Sequence, residues 1–499
     1  MVVVVPANNR CWLSNLVLLW WDGGTTVHEA KRQGERPHCF FANLTLILSL
    51  FNFLGGKRAS SFFLSSAGGN HHYHILDFIP PHSPFEYHTI PVPYHTNDNK
   101  MQRSTILWSR HASKWQSFWR RKTASTSASF ASTSAAASHK IIDIRSDTVT
   151  SPSRAMLESV LTAPTGDDVL GEDPTVLELE AYMADLLGME AALFVPTGTM
   201  ANLCAIMAHC HGRASEIIIG AGSHICLWEG GGAAGLASVH TRQLTEDPTT
   251  AQMDFHQLRT AIRDDSDDHF AQTAAICLEN THNLLGGRAL SPSYVDAVGQ
   301  LAHPKGIALH VDGARMFHAA TAHQTTVAKM NASVDSVSIC LSKGLGAPAG
   351  SVLVGRNAEF IRLAKRARKR CGGGMRQAGV LAAMGLYAVQ NNVERLTVDH
   401  QRARRLAERL EAHGFVLPSA VETNIVYFAL PSSSNDSKLT PSVFSQTLAK
   451  EWGVKLSGGY ARGGGEFFRV VMHLDLSDED VDRAAEAMIH VAHSHAGQS

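Results

Sequence analysis

The chain has 499 residues, 44% of them hydrophobic and 18% charged, with a formal net charge of -1. This composition excludes wholesale disorder and collagen-like repeats, and it gives no global reason to expect a nucleic-acid or membrane-surface partner. The average hides a split: residues 1–140 carry 14 Lys+Arg against 6 Asp+Glu, and residues 141–499 carry the remaining 30 against 39. Eight cysteines lie scattered without CxxC pairs, so the pattern reads as free thiols in a reducing compartment, with no metal site expected.

Residues 1–140 form a basic leader with its own texture. Its apolar stretches Trp12–Trp21 and Cys39–Leu54 are interrupted by Asn15, Asn43 and Asn52 and fall short of the ~18–20 residues of a spanning helix. The expectation is a largely disordered extension with no stable membrane insertion. Residues 101–140 open at Met101 and contain Arg103, Arg110, Arg120, Arg121 and ten serines, with no acidic residue. That composition suits a mitochondrial transit peptide as well as a Ser/Ala-rich linker. A cytoplasmic location is the first expectation, with a mitochondrial one by way of residues 101–140 as the alternative.

From Ile141 the chain alternates short apolar runs with helix-length segments. The runs Ala191–Val195, Glu216–Ile219, Ala274–Leu278, Ile307–Val311 and Ser336–Leu341 are continuous, which is the pattern of strands buried on both faces. They predict an α/β domain over 141–390 with a mostly parallel central sheet covered by helices. A charged helix over Val393–His413 and apolar runs at Asn424–Leu430 and Phe467–Met472 predict a smaller C-terminal α/β domain over 391–499. The basic run Arg362–Arg370 sits on one predicted helix without aromatic interleaving. It reads as a solvated or interface-facing helix, and no nucleic acid is expected.

Parallel sheets place ligands beyond the carboxyl ends of their strands, so the polar residues after each run are the candidates. Pro196-Thr197-Gly198-Thr199 opens an apolar helix whose unpaired N–H groups and dipole suit a phosphate. His224 follows the second run, and Glu279-Asn280-Thr281-His282-Asn283 follows the third. Asp312 closes the fourth, with Arg315 as a candidate positive partner. Lys343 follows the fifth, in Ser342-Lys343-Gly344-Leu345-Gly346. A lysine, a carboxylate and an anion cradle at one sheet edge are the parts that pyridoxal phosphate needs.

These residues, with Arg145-Ser146-Asp147-Thr148-Val149-Thr150, Gly171-Glu172-Asp173-Pro174-Thr175, Asp312-Gly313-Ala314-Arg315 and Gly372-Gly373-Gly374-Met375-Arg376-Gln377, resemble the low-specificity L-threonine aldolases. That family consists of pyridoxal-phosphate lyases of fold type I, the aspartate-aminotransferase fold, and the likeness runs from about Ile144 to Leu476. It implies that Lys343 holds pyridoxal 5'-phosphate covalently and Asp312 pairs with the ring nitrogen. It further implies that His224 stacks on the ring and lies, with His282, near the substrate's β-hydroxyl. Gly198 and Thr199 would hold the phosphate, with Arg376 reaching it from a neighbouring subunit and Lys369 adding positive potential. Ser146, Arg315 and Arg469 would bind the α-carboxylate of an amino-acid substrate. The implied assembly is a homodimer or homotetramer with shared active sites. The implied reaction is cleavage of L-threonine or L-allo-threonine to glycine and acetaldehyde. β-Elimination, racemisation, transamination and a non-catalytic scaffold are the alternatives. Leu170 stands where the family usually has a tyrosine.

Overall fold

The computed structural model describes residues 140–264, 266–431, 439–458 and 467–494, together with strands at 2–6, 16–21, 27–30, 61–67 and 70–76. The chain divides into two compact units, Met1–Ala131 and Ser132–Ser499. In the first unit, Val2–Pro6, Leu16–Trp21 and Val27–Ala30 form an antiparallel sheet, and Ser61–Ala67 pairs antiparallel with Asn70–Leu76. The stretch Cys39–Leu54 and residues 101–139, the candidate targeting segment, lie outside the described residues. Among the described residues no helix is long and apolar enough to cross a membrane.

The second unit is built on a seven-stranded sheet. Its strands are β1 (Ala191–Val195), β2 (Ser215–Gly220), β3 (His240–Leu244), β4 (Gln272–Glu279), β5 (Ala308–Asp312), β6 (Ser336–Cys340) and β7 (Ser351–Gly355), in the spatial order β1-β7-β6-β5-β4-β2-β3. Only β7 runs antiparallel to its neighbours, so β1 to β6 all end at one edge. Successive side chains alternate between two apolar layers. Phe194, Ile218, Ile276 and Val311 join the core beneath the helices Pro174–Leu187, Pro292–Ala302 and Gly379–Asn391. Leu193 and Val195 face the helices Gly198–His209 and Ala358–Arg370, and Ile217, Ile219 and Cys277 pack with Ile206 on the former. Burial on both sides is why these strands lack a polar stripe.

The basic run lies on the helix Ala358–Arg370, whose apolar face (Phe360, Ile361, Ala364, Ala367) seats on the sheet layer. Arg368 is an exception to the solvated reading. It is buried, ion-paired with Asp168 at 2.9 Å, and donates to the Phe194 carbonyl at 2.7 Å.

The smaller domain contains β8 (Ile425–Phe428), β9 (Ser457–Gly458) and β10 (Phe468–Val471), in the order β8-β10-β9, under the helices Leu396–Glu411 and Asp478–Ser494. Residues from the start of the body also join it. Ile142–Asp143 pairs in parallel with Val454–Lys455, and Ile142 and Ile144 are buried in the core with Phe428, Phe444 and Phe468. The first residues of the body therefore complete the C-terminal domain, because that core is where two β-branched side chains find apolar cover.

Candidate active site

Asp312 is the last residue of β5 and only 3% exposed. A buried carboxylate needs compensation, and here it comes from dipoles. Oδ1 accepts the Ala314 N–H at 3.1 Å, and Oδ2 accepts Asn202 Nδ2 at 2.8 Å. Arg315 is not its partner, contrary to the sequence expectation. The Arg315 guanidinium forks onto Asp147 instead, with Nε and Nη2 donating at 2.8 and 2.7 Å. Asp147 is fully buried, and beside the longer contacts from Ser146 Oγ at 3.4 Å and Asn424 Nδ2 at 3.5 Å the guanidinium supplies its full counter-charge. Burial would raise the Asp147 carboxyl, but the charge and hydrogen bonds of Arg315, aided by Lys343, hold it far below the ordinary carboxylate range.

Asn202, on the helix Gly198–His209, connects the site. Its Nδ2 donates to Asp312 and also to Glu229 Oε1 at 2.8 Å. Its Oδ1 accepts from Ser338 Oγ at 2.6 Å and pairs with His310 Nε2 at 3.1 Å. Behind it, Ser336 Oγ joins His310 and His209 at 2.8 and 2.7 Å. Burial drives His209 down to about 3 and His310 to about 4, so both rings are neutral supports.

His224 opens a short helical turn capped by Ser223. Its backbone N–H donates to Glu279 Oε2 at 2.5 Å, and its Nδ1 lies 3.0 Å from Glu229 Oε1. Burial opposes protonation of His224, but the Glu229 hydrogen bond and the charge of Asp312 outweigh it and raise its pKa, while Lys343 acts the other way. Burial also pushes Glu229 up, against the hydrogen bonds of His224 and Asn202. The ligand atoms of His224, Glu229 and Asp312 lie within 4.8 Å of one another, a grouping that could hold a metal. The Asn202 amide already bridges the two carboxylates with donor hydrogens.

His282 sits deeper. Its side chain is 2% exposed and Nε2 is 3.0 Å from Glu246 Oε1, whose carboxylate also accepts the Gly222 N–H. Glu279 ties the two histidine-bearing loops together by accepting the N–H of Asn283 as well as that of His224. The His224 side chain is 29% exposed and lies against Trp228, with ring centroids 5.8 Å apart, whereas His282 is buried behind it.

Lys343 follows β6 in a turn closed by the Gly346 N–H on the Lys343 carbonyl at 2.8 Å. It is half-buried, and its charge is felt at His224 and Asp147. At the end of β1, Thr197 caps the helix by accepting the Met200 N–H at 3.2 Å. A Cβ on Gly198 would come within 2.6 Å of Cys340 Sγ, so the tight entry into the helix requires glycine. Thr199 is exposed at that helix start. Ser146 Oγ accepts the Thr148 N–H at 3.3 Å. Arg469 donates to Asn283 Oδ1 at 2.6 Å and to the Arg145 carbonyl at 3.1 Å, which joins the smaller domain to the histidine loop.

Three expected residues lie in a separate group. Arg376 is 64% exposed and held by Asp167 at 2.7 Å, and the exposed Lys369 runs along Gly374. Leu170, 67% exposed, projects from the same loop as Asp167. The sequence alone does not mark Asn202, Asp147 or Glu246 as members of the site. Their only signal is a polar residue within an otherwise apolar or commonplace context.

Residues 143–432 match the model of the beta-eliminating lyase family. The chain is 46% identical over 345 residues to low-specificity L-threonine aldolase 1 of Arabidopsis thaliana, covering 68% of this chain and 93% of that one. It is 48% identical over 274 residues to the low specificity L-threonine aldolase of Escherichia coli K12, covering 55% and 80%. The solved structure of Leishmania major threonine aldolase superposes with a TM-score of 0.59 at 18% identity, covering 70% and 99%, and supports the fold. A mostly parallel sheet with one antiparallel strand, a lysine and a carboxylate at its edge, and these likenesses agree: the chain belongs to the beta-eliminating lyase family, among its low-specificity L-threonine aldolases.

Proposed function

We propose that this lyase uses pyridoxal 5'-phosphate to cleave L-threonine and L-allo-threonine to glycine and acetaldehyde. The observation that carries the reading is the buried, dipole-held Asp312 at the mouth of β5, beside half-buried Lys343 on the turn after β6. The donor set fits the cofactor: an amine, a buried carboxylate, a histidine edge and a glycine-opened helix start. When bound, pyridoxal phosphate supplies covalent attachment for the substrate's amino group and a sink for the electrons released as Cα–Cβ breaks.

The chain's own residues do the rest. Asp312, locked by Asn202 and the Ala314 N–H, holds a positive charge on the ring nitrogen. Gly198 and Thr199 offer N–H groups to the phosphate. His224 keeps Nδ1 toward Glu229, so Nε2 is the atom that takes the proton from the β-hydroxyl. Ser146, Arg469 and the Arg315 N–H groups not engaged by Asp147, those of Nη1 foremost, receive the carboxylate. In a homodimer or homotetramer, exposed Arg376 and Lys369 reach the phosphate of a second copy, and Leu170 travels with them. Residues 101–140 act as a targeting segment if the protein is mitochondrial. Fractionation of the full chain against one starting at Lys140 separates that location from a cytoplasmic one.

The test is product analysis with both threonine diastereomers on the purified, cofactor-loaded protein. Acetaldehyde and glycine in equal amounts support the reading. A keto acid, a D-amino acid or no product overturns it. Lys343→Ala abolishes both turnover and the visible absorbance of the bound cofactor.

A further inference from the structure

One buried pair of titratable groups has no part in the chemistry above. His318 lies on the helix Met316–Ala322, one turn after Arg315, and His400 lies on Leu396–Glu411. Both are buried, at 1% and 2% exposure, and their rings stack with centroids 5.2 Å apart. His318 Nδ1 is 2.9 Å from His400 Nε2. The other His318 nitrogen, Nε2, is buried without a hydrogen-bond partner among the described residues. It packs against Gly344, the residue after Lys343, so closely that a Cβ there would overlap it.

The charged groups facing His318 are Asp147, Arg315 and Arg395, and Arg404 faces His400. On its far side His400 lines a cavity of about 810 Å³ together with Thr397, Gln401 and Arg404. The pair thus spans the distance from that cavity to the lysine turn. Burial keeps both rings neutral, with His318 well below its ordinary value and His400 at about 4. Two neutral imidazoles joined by one hydrogen bond have two arrangements. If His318 donates through Nδ1, its Nε2 presents a lone pair to the Lys343–Gly344 turn. If His400 donates, Nε2 presents an N–H.

We propose that His318 is a positioning residue for Lys343, and that His400 fixes its tautomer and so sets the polarity behind the lysine turn. The ring also wedges the turn by packing on Gly344, which makes the glycine at 344 and the histidine at 318 one fitted unit. This inference rests on Lys343 being the residue that holds the cofactor.

The experiment is a pH titration of the visible absorbance of the lysine-bound cofactor in the full chain, alongside kcat and KM for threonine. His318→Phe keeps the ring and removes both nitrogens. It is expected to move the absorbance midpoint by roughly one pH unit and to lower kcat about tenfold with KM within about twofold. His400→Phe, which leaves the Gly344 contact intact, moves the midpoint in the same direction by a smaller amount. His318→Asn, which keeps an amide donor and acceptor, restores most of the parent behaviour. Where the phenylalanine variants fail to fold, His318→Asn against His318→Leu gives the same comparison. An unchanged midpoint and kcat in all variants, with only melting temperature lowered, reduces the pair to packing and overturns the proposal. Absence of the absorbance in the parent overturns the cofactor assignment, and this inference with it.

Discussion

Replacing Asn202 is the most direct way to test whether the amide network organises the site. Four hydrogen bonds converge on this side chain, from 2.6 to 3.1 Å, and its partners Asp312, His310 and Ser338 are each 3% exposed or less. Asn202→Ala strips one donor from each of two buried carboxylates, and an unsatisfied buried polar group costs about 1–3 kcal/mol. Water entering the vacated space recovers part of this, so a stability loss of about 3 kcal/mol is expected. The same change frees the Asp312 carboxylate to rotate, and a ten- to hundredfold weaker cofactor affinity corresponds to about 1.4–2.8 kcal/mol. Asn202→Asp preserves shape but sets a third carboxylate against Glu229 and Asp312, and should bind cofactor more weakly than the alanine variant at pH 8. Denaturant unfolding gives the first quantity and absorbance titration of the apoprotein gives the second. A cofactor affinity within twofold of the parent in Asn202→Asp refutes the reasoning, because repulsion inside a site this buried cannot be silent.

Other substitutions probe neighbouring parts. Glu229→Gln removes the negative charge behind the hydrogen bond that raises His224, so the acid limb of kcat/KM, measured from pH 5 to 9, should shift to lower pH. Asp147→Asn leaves the Arg315 guanidinium buried without a counter-charge and should cost about 3–5 kcal/mol in denaturant unfolding. Because the Asp147 carboxyl is held below its ordinary value of 3.8, that stabilisation is complete above this value and disappears as pH falls through the lower folded value. The gap between parent and variant should therefore stay constant from pH 5 to 8. Leu170→Tyr adds a ring and a hydroxyl on an exposed loop and should change kcat/KM, or the ratio between diastereomers, by about two- to tenfold, with cofactor absorbance unchanged.

The sequence is most legible where one physical requirement dominates. β1, β2, β4, β5 and β6 are buried on both faces, so their apolar runs reveal them within a residue or two. β3 is an edge strand of sequence HTRQL with half-exposed residues, and it carries no apolar signal. β7 is as apolar as its neighbours but returns antiparallel shortly after the lysine turn, where a helix would be the expected connection. At the site, strand-end placement exposes Lys343, Asp312 and His224. What holds them is hidden, because Asn202 and Asp312 are 110 residues apart and Asp147 and Arg315 are 168 apart. Pairings at such separations depend on the three-dimensional path, and for that reason Arg315 reads as the partner of its near neighbour Asp312 and not of Asp147.

The strand Ile142–Asp143, closing a domain made otherwise of the last hundred residues, bears on how the body assembles. Its contacts are extremely non-local: Lys140 meets Asp480 across 340 residues. Loop closure over that distance must precede any reward from the contact. During synthesis the seven-stranded sheet can therefore consolidate first, while Ile142 and Ile144 wait uncovered for Phe444 and Phe468 to leave the ribosome. A protease cut between the domains, followed by their separation, has the mirror-image effect. It removes the cover from both isoleucines and lets the opening residues of the body, Ser146 and Asp147 among them, drift from the site that Arg315 and Arg469 hold together.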